Sequence, residues 1–131
     1  MKYFISLVLV SLCLNNFAQL PVINQSFNEA SVKSTKKTLT VSTGAVERTW
    51  EWTGKGLVTT EFMNLESGKK WTNVDPDFSS DWAFYDIIED TPAKLINLEV
   101  HQSDDEGFTS PHLEIVAEIE YPSVASFVKY Q

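Results

Sequence analysis

The sequence predicts an all-β protein, specifically an antiparallel β-sandwich of the supersandwich type, and two stretches carry most of that prediction. In residues 46–52, Val46, Trp50 and Trp52 share one parity while polar residues take the other, which is the period-2 signature of a half-buried strand. Residues 113–121 alternate more regularly, with apolar side chains at every odd position. Glycine-containing turns separate such runs, as in a meander of consecutive antiparallel strands.

The N-terminus has the composition of a targeting segment rather than of the folded domain. Lys2 supplies a positive charge, an apolar run extends from Phe4 to Leu14, and Ala18 offers a small residue at a cleavage position. We therefore interpret residues 1–18 as a signal peptide cleaved between Ala18 and Gln19. This predicts a secreted or periplasmic protein.

Two other interpretations of this segment were weighed. A membrane-spanning helix needs about 20 apolar residues, and Asn15 and Asn16 interrupt the run before that length. Lipid attachment at Cys13 is an alternative, although Leu12 precedes the cysteine where a lipoprotein signal has a small residue. Cleavage and export is the prediction that we carry forward.

Composition restricts the class of partner. Without residues 1–18 the chain has 113 residues, enough for one domain, and it loses its single cysteine and one lysine. Nine basic residues then face 18 acidic ones, a formal charge of −9. A charge of this sign argues against nucleic acid and anionic membranes as partners. We predict no cofactor, and a stability that depends on the apolar core, since no disulfide can form.

The strands follow in order from residue 38, where we place the start of a β-sandwich domain that covers residues 38–131. Residues 19–37 show no sustained period and are predicted to be a linker or a lead-in strand, anchored only by Val22, Ile23 and Phe27. The predicted strands are Thr38–Ser42, Val46–Trp52, Leu57–Met63, a short strand at Trp71, Trp82–Ile88 after a long loop, Lys94–Gln102, Leu113–Tyr121 and Val124–Tyr130.

The faces of the later strands follow from the same alternation. In Lys94–Gln102, we expect Ile96, Leu98 and Val100 to share the buried face. The last run reaches Gln131 with its strand pattern unfinished. We therefore expect a sandwich that is incomplete at its C-terminus.

The hairpin and the strands after it also resemble a known family. The runs that carry the resemblance are Val46–Trp52, Gly56–Thr60, Asn64–Leu65, Ser67–Trp71, Pro111–Ile115 and Glu120–Pro122. Together they resemble the N-terminal β-supersandwich domain of melibiase-type glycoside hydrolases, the family-36-like α-galactosidases, over about Thr38 to Gln131. In that family the domain precedes a (β/α)8 barrel that carries two catalytic aspartates in a retaining mechanism. No run of this chain matches the barrel motifs, so the resemblance implies a non-catalytic domain with a downstream barrel and carbohydrate as its partners.

Structural roles in turns and loops explain the clusters of polar residues better than catalytic or metal-binding roles do. Asp75, Asp77 and Asp81 are close in sequence, but aspartate is favoured in turns for its hydrogen bonds to the backbone. The acidic run 104–106 lacks the spacing of a calcium loop, and neither His101 nor His112 has a partner at zinc-ligand spacing. We predict no catalytic residue and no metal site.

Aromatic side chains are the best candidates for ligand contact, because sugar rings present apolar C–H faces that stack on them. Trp71, Trp82 and Tyr85 lie at or near predicted loops and are the candidate carbohydrate-contacting residues. Trp50 and Trp52 alternate in phase with Val46 and are predicted to be core. Arg48 has the same parity, where a buried guanidinium would need a partner, so we expect it at an edge or an interface.

Three functions fit these observations. The first is the non-catalytic N-terminal β-sandwich portion of a secreted α-galactosidase-like glycoside hydrolase. The second is a free-standing secreted carbohydrate-binding or adhesion module. The third is a structural β-domain with no ligand.

Overall fold

The fold is all-β and antiparallel, with two sheets that pack as a sandwich. The computed structural model describes residues 19–73, 80–81, 92–124 and 126–130, so the predicted signal peptide and the predicted strand Trp82–Ile88 lie outside the described residues. Within these ranges no helix is long and apolar enough to cross a membrane. The described strands are β1 (Asn24–Phe27), β2 (Ala30–Ser34), β3 (Thr38–Ser42), β4 (Val46–Trp52), β5 (Leu57–Asn64), β6 (Lys70–Thr72), β7 (Lys94–Ser103), β8 (His112–Tyr121) and β9 (Ser126–Tyr130).

The larger sheet contains β1 to β6 in chain order, each strand antiparallel to the next. Its central hairpin, β4 and β5, has the bounds that the alternation predicted to within one residue. The turn between them uses Gly54 and Gly56 at positive φ, a conformation that costs glycine little because it has no Cβ. Local sequence therefore specifies this hairpin.

Residues 19–37 form more structure than the predicted linker or single lead-in strand. They contain β1 and β2, a hairpin whose two-residue turn places Asn28 in the left-handed region at φ 52°, which asparagine tolerates better than most residues. The predicted anchor Val22 is 75% exposed, whereas Leu20 and Val32 are buried. Polar side chains on both strands concealed the period that the buried residues follow.

The buried hydroxyl of Ser34 fixes the lead-in segment against β2. It donates to the carbonyl of Pro21 and accepts the backbone N–H of Ile23 at 2.8 Å. The Leu20 N–H donates to the carbonyl of Lys36 at 3.1 Å. These bonds attach residues 20–23 to the end of β2 and to the turn after it.

The smaller sheet contains β7, β8 and β9, with β8 in the middle. The predicted face of β8 is confirmed, since Ile119 and Tyr121 are fully buried and Ile115 packs against the core. The predicted face of β7 is wrong at its start, because the register with β8 shifts between Leu95 and Asn97. This bulge leaves Ile96 45% exposed, and Leu95 packs against the core in its place.

One hydrophobic core joins the two sheets. The larger sheet contributes Val32, Leu39, Trp52 and Leu57, and the smaller sheet contributes Leu98, Ala117, Ile119 and Tyr121. Trp52 is buried and Trp50 packs against the same cluster, as predicted for both. Interdigitating inner faces of this kind define a β-sandwich.

Candidate functional site

A one-residue bulge in β5 decides which side chains share the inner face of the larger sheet. Between Thr49 and Trp50 the pairing with β5 shifts, so that Thr60 lies opposite no residue of β4. The Thr60 hydroxyl donates instead to the carbonyl of Thr49 at 3.3 Å. Because side chains alternate along a strand, the extra residue moves Phe62 to the face that carries Leu57 and the core.

The inner face is covered at one end and open at the other. A row of cross-strand partners runs from Val32 in β2 through Val41 and Arg48 to Phe62 and then Trp71 in β6. Along that row the exposed fraction rises from 1% at Val32 to 38% at Phe62 and 46% at Trp71. Among the described residues, β8 packs against β1 and β2, and the exposed end of the row lies at Phe62 in β5 and Trp71 in β6.

Phe62, Lys69 and Trp71 form a surface that we call the aromatic shelf. The Phe62 and Trp71 ring centroids are 5.7 Å apart with the planes tilted by 49°, within the range in which aromatic pairs stabilise each other. The Lys69 ammonium lies 4.8 Å from the centroid of the Trp71 ring, a cation–π contact. The shelf thus combines exposed ring surface with one positive charge.

The turn between β5 and β6 holds the backbone of the shelf in place. The Asn64 side-chain oxygen accepts the backbone N–H of Ser67 at 2.8 Å and its hydroxyl at 2.9 Å. The Asn64 N–H donates to the carbonyl of Lys69 at 2.8 Å, and Gly68 takes the left-handed conformation at φ 68°. Lys69 therefore enters β6 from a defined backbone position, next to Trp71.

Beside the shelf, four residues form a polar cluster that we call the Asp81 clamp: Arg48, Trp50, Thr59 and Asp81. One carboxylate oxygen of Asp81 accepts the Thr59 N–H at 2.8 Å. The other accepts the Thr59 hydroxyl at 2.6 Å, Arg48 Nη2 at 3.0 Å and Trp50 Nε1 at 3.2 Å. The Asp81 N–H also donates to the carbonyl of Leu57 at 2.8 Å.

The clamp corrects the expectation for Arg48. Arg48 lies on β4, an interior strand of its sheet, and not at an edge. Its guanidinium carbon is 4.6 Å from the centroid of the Trp50 ring, and Asp81 supplies its charge partner. The clamp thus tethers the chain segment at Asp81 to the start of β5, and its carboxylate is occupied by four donors.

Ser80 anchors the same segment between the two sheets. Ser80 and Tyr121 are both fully buried, and their hydroxyl oxygens are 3.4 Å apart. Burial raises the pKa of Tyr121, and the hydrogen bond from Ser80 opposes that rise. Gly56 packs so closely on Ser80 that a Cβ built there would lie 2.4 Å from Ser80 Oγ.

Two concave regions lie away from the shelf. A groove of about 360 Å³ is lined by Lys36, Lys37, Glu51 and Trp52, among others. The Trp52 indole N–H has no hydrogen-bond partner among the described residues, but the atom itself is buried and offers nothing to a ligand in the groove.

The second region, of about 310 Å³, lies beside His112 and Glu114. Glu114 is 3.2 Å from His101 Nε2, and the adjacent acidic loop uses Asp105 to accept the Thr109 hydroxyl at 2.9 Å. Over the described ranges no three His, Cys, Asp or Glu side chains are grouped to hold a metal ion. The His101–Glu114 pair links β7 with β8, and the Asp105–Thr109 bond closes the loop between them.

The structure describes one of the three predicted carbohydrate-contacting residues. Trp71 is exposed on the shelf, whereas Trp82, Tyr85, Asp75 and Asp77 lie outside the described residues. Sequence reasoning missed Lys69 and Phe62. Strand alternation could not have identified Lys69, because it lies just before β6 and reaches the Trp71 ring from the turn.

Comparison of the chain with protein-family models, with curated proteins and with solved structures finds no match. The resemblance to melibiase-type α-galactosidases therefore stays a prediction.

Proposed function

We propose that this chain is an exported, non-catalytic β-sandwich domain that contacts carbohydrate through the aromatic shelf. The observation that carries the proposal is the exposed pair of Phe62 and Trp71 on the open end of a face whose other end is the core. Sugars offer apolar C–H faces to such rings, and a side chain that is rigid and partly exposed binds at low entropic cost.

The Asp81 clamp supports a non-catalytic role. A retaining glycosidase needs a nucleophile and an acid/base carboxyl about 5 Å apart. Asp81 is the carboxylate that lies in the clamp beside the shelf, and its two oxygens accept four hydrogen bonds that hold the fold together. Asp81 therefore has a structural role in the clamp.

For the wider context of the domain, we propose the N-terminal position in an α-galactosidase-like glycoside hydrolase, next to a catalytic barrel. The residue resemblance over 38–131 supports this placement. The DNA downstream of the coding sequence tests it, because an open frame that continues into a barrel with paired aspartates is expected. A stop codon followed by an unrelated gene would instead favour the free-standing binding module, which the exposed shelf supports equally well.

The binding role predicts a loss of affinity on truncating the exposed indole. Affinity electrophoresis and calorimetry against a panel of plant and microbial polysaccharides would identify a bound sugar. Trp71→Ala should then weaken binding about tenfold or more, since full burial of a large apolar side chain contributes about 1.5–3 kcal/mol. Phe108→Ala is the matched control, because Phe108 is 89% exposed but lies on the loop between β7 and β8.

Two results would contradict the proposal. One is a wild-type chain that binds no member of the panel. The other is a Trp71→Ala variant that binds as tightly as Phe108→Ala. Circular dichroism of both variants would verify that the fold is retained.

Export has its own test. The charge at Lys2, the apolar run and Ala18 predict a mature chain that begins at Gln19. Intact-mass measurement on material from the culture medium or periplasm should give the mass of residues 19–131. A full-length chain in the membrane fraction, or a lipid adduct on Cys13, would be inconsistent with it.

A further inference from the structure

We infer that the aromatic shelf prefers anionic saccharides, such as uronic acids, over neutral ones; this inference rests on the proposed function. It starts from the charges around the shelf. Lys70 pairs with Glu61, and Arg48 pairs with Asp81. Lys69 forms no ion pair with any described carboxylate, and its ammonium contacts the ring of Trp71.

The position of Lys69 makes its charge part of any stacking site. At 4.8 Å from the ring centroid, its ammonium lies over the indole face on which a sugar would stack. A sugar that uses this face must displace the ammonium, at the cost of a cation–π contact. A neutral ring offers no charge in exchange. A uronate offers its carboxylate at the ring edge, and the displaced ammonium can pair with it.

The backbone favours this exchange of partners. The carbonyl and N–H of Lys69 are bonded to Asn64 and to the Ser67 hydroxyl, so its Cα stays fixed while its four-carbon side chain pivots. Lys69 immediately precedes β6, and its ammonium lies over the Trp71 ring. The ammonium therefore stays within reach of a ligand on the ring.

The acidic balance of the whole chain sets a limit on this preference. The formal net charge is −8, which repels polyanions at long range. At physiological ionic strength, exposed charges are screened beyond about 8 Å. Glu61 on β5 and Asp81 in the clamp are paired with cations, whereas Glu66, three residues before Lys69 in the turn, is exposed and adds to the repulsion. We therefore expect a local and modest preference, of the size of one exposed ion pair.

The test compares uronate oligomers of several stereochemistries, each with its carboxyl-reduced neutral counterpart. The purified chain should bind the acidic member of a pair about three- to fivefold more tightly, the effect of one exposed ion pair. Lys69→Gln should remove the preference, and it should bind the neutral member at least as tightly as wild type, because the sugar no longer displaces an ammonium from the Trp71 ring. Lys70→Gln is the matched control, since the Lys70 ammonium is paired with Glu61. This variant should keep the preference for the acidic member. Added salt should reduce the preference in wild type but not in Lys69→Gln.

The outcomes separate this inference from the proposed function. Equal binding of acidic and neutral members by wild type, or a preference that survives in Lys69→Gln, would overturn the inference and leave the carbohydrate-binding proposal standing. Failure to bind any acidic or neutral member would overturn the inference, and failure to bind any polysaccharide of the wider panel as well would overturn both. Loss of binding to both members in Trp71→Ala, with the preference lost in Lys69→Gln, would support both.

Discussion

Replacing Gly56 by alanine tests the packing between the two sheets. The new Cβ would lie 2.4 Å from Ser80 Oγ, 2.6 Å from Ser80 Cβ and 3.0 Å from the Tyr121 hydroxyl. Both neighbours are fully buried, so neither can swing into solvent. The backbone adds strain, because Gly56 has φ 155°, a conformation that side chains rarely adopt.

The two effects give an expected magnitude. Overpacking a core costs about 1–3 kcal/mol, and a residue held in a region suited to glycine costs about 1–3 kcal/mol. We expect Gly56→Ala to lower the free energy of unfolding by about 3–5 kcal/mol, a large share of a typical margin of about 5–15 kcal/mol. Gly68→Ala is the matched control, since Gly68 has φ 68° but no atom within 4 Å of a built Cβ. In that variant only backbone strain should lower the free energy of unfolding, by about 1–2 kcal/mol.

Urea denaturation followed by tryptophan fluorescence measures both variants. With a slope of about 2 kcal/mol per molar urea, the midpoint should fall by about 1.5 M or more for Gly56→Ala and by less than about 1 M for Gly68→Ala. If Gly56→Ala does not fold, the double variant Gly56→Ala/Ser80→Gly should recover part of the stability by removing the contacted atoms. Equal losses in Gly56→Ala and Gly68→Ala would refute the steric explanation.

Two further predictions concern the Asp81 clamp and the buried tyrosine. Asp81→Ala removes four hydrogen bonds, and because Asp81 is partly exposed we expect the free energy of unfolding, measured in urea, to fall by about 2–3 kcal/mol. The exposed control Glu66→Ala should lower it by under about 0.5 kcal/mol. Equal losses in the two variants would contradict a stabilising role of the clamp. The pKa of Tyr121 is raised above its ordinary value of 10.0 by burial, so the unfolded state loses its proton first. Stability should therefore hold below pH 10 and fall as the pH rises further, and it should fall less steeply in Tyr121→Phe. Identical alkaline profiles for the two proteins would show that Tyr121 is not the responsible group.

The elements that sequence alone could predict are those set by local pattern. β4, β5 and β8 were predicted to within a residue or two because their alternation and their turns lie within about ten residues. The sequence did not predict the hairpin of β1 and β2, because polar side chains on both strands obscure the alternation of apolar and polar residues. Ile96 was assigned to the wrong face, since a bulge depends on pairing with the neighbouring strand rather than on the strand's own sequence.

The candidate site was predictable only in part, for a similar reason. Trp71 was identified from its place beside a turn. The pairing of Arg48 with Asp81 joins residues 33 positions apart, and no spacing rule connects a strand residue with a loop carboxylate at that distance. Phe62 reaches the shelf only through the shift at Thr60.

Thr60 also affects how relatives of this chain should be compared. Because the bulge reverses the faces of β5 beyond it, a protein that lacks this one residue could keep every aromatic of the shelf and still direct Phe62 to the opposite side of its sheet. Substitutions at Phe62 or Trp71 would be visible in an alignment as changed letters. A deletion at Thr60 would appear only as a gap in a strand, and it would have the larger effect. Length between Leu57 and Phe62, more than residue identity, is therefore the feature by which a shared aromatic shelf should be judged.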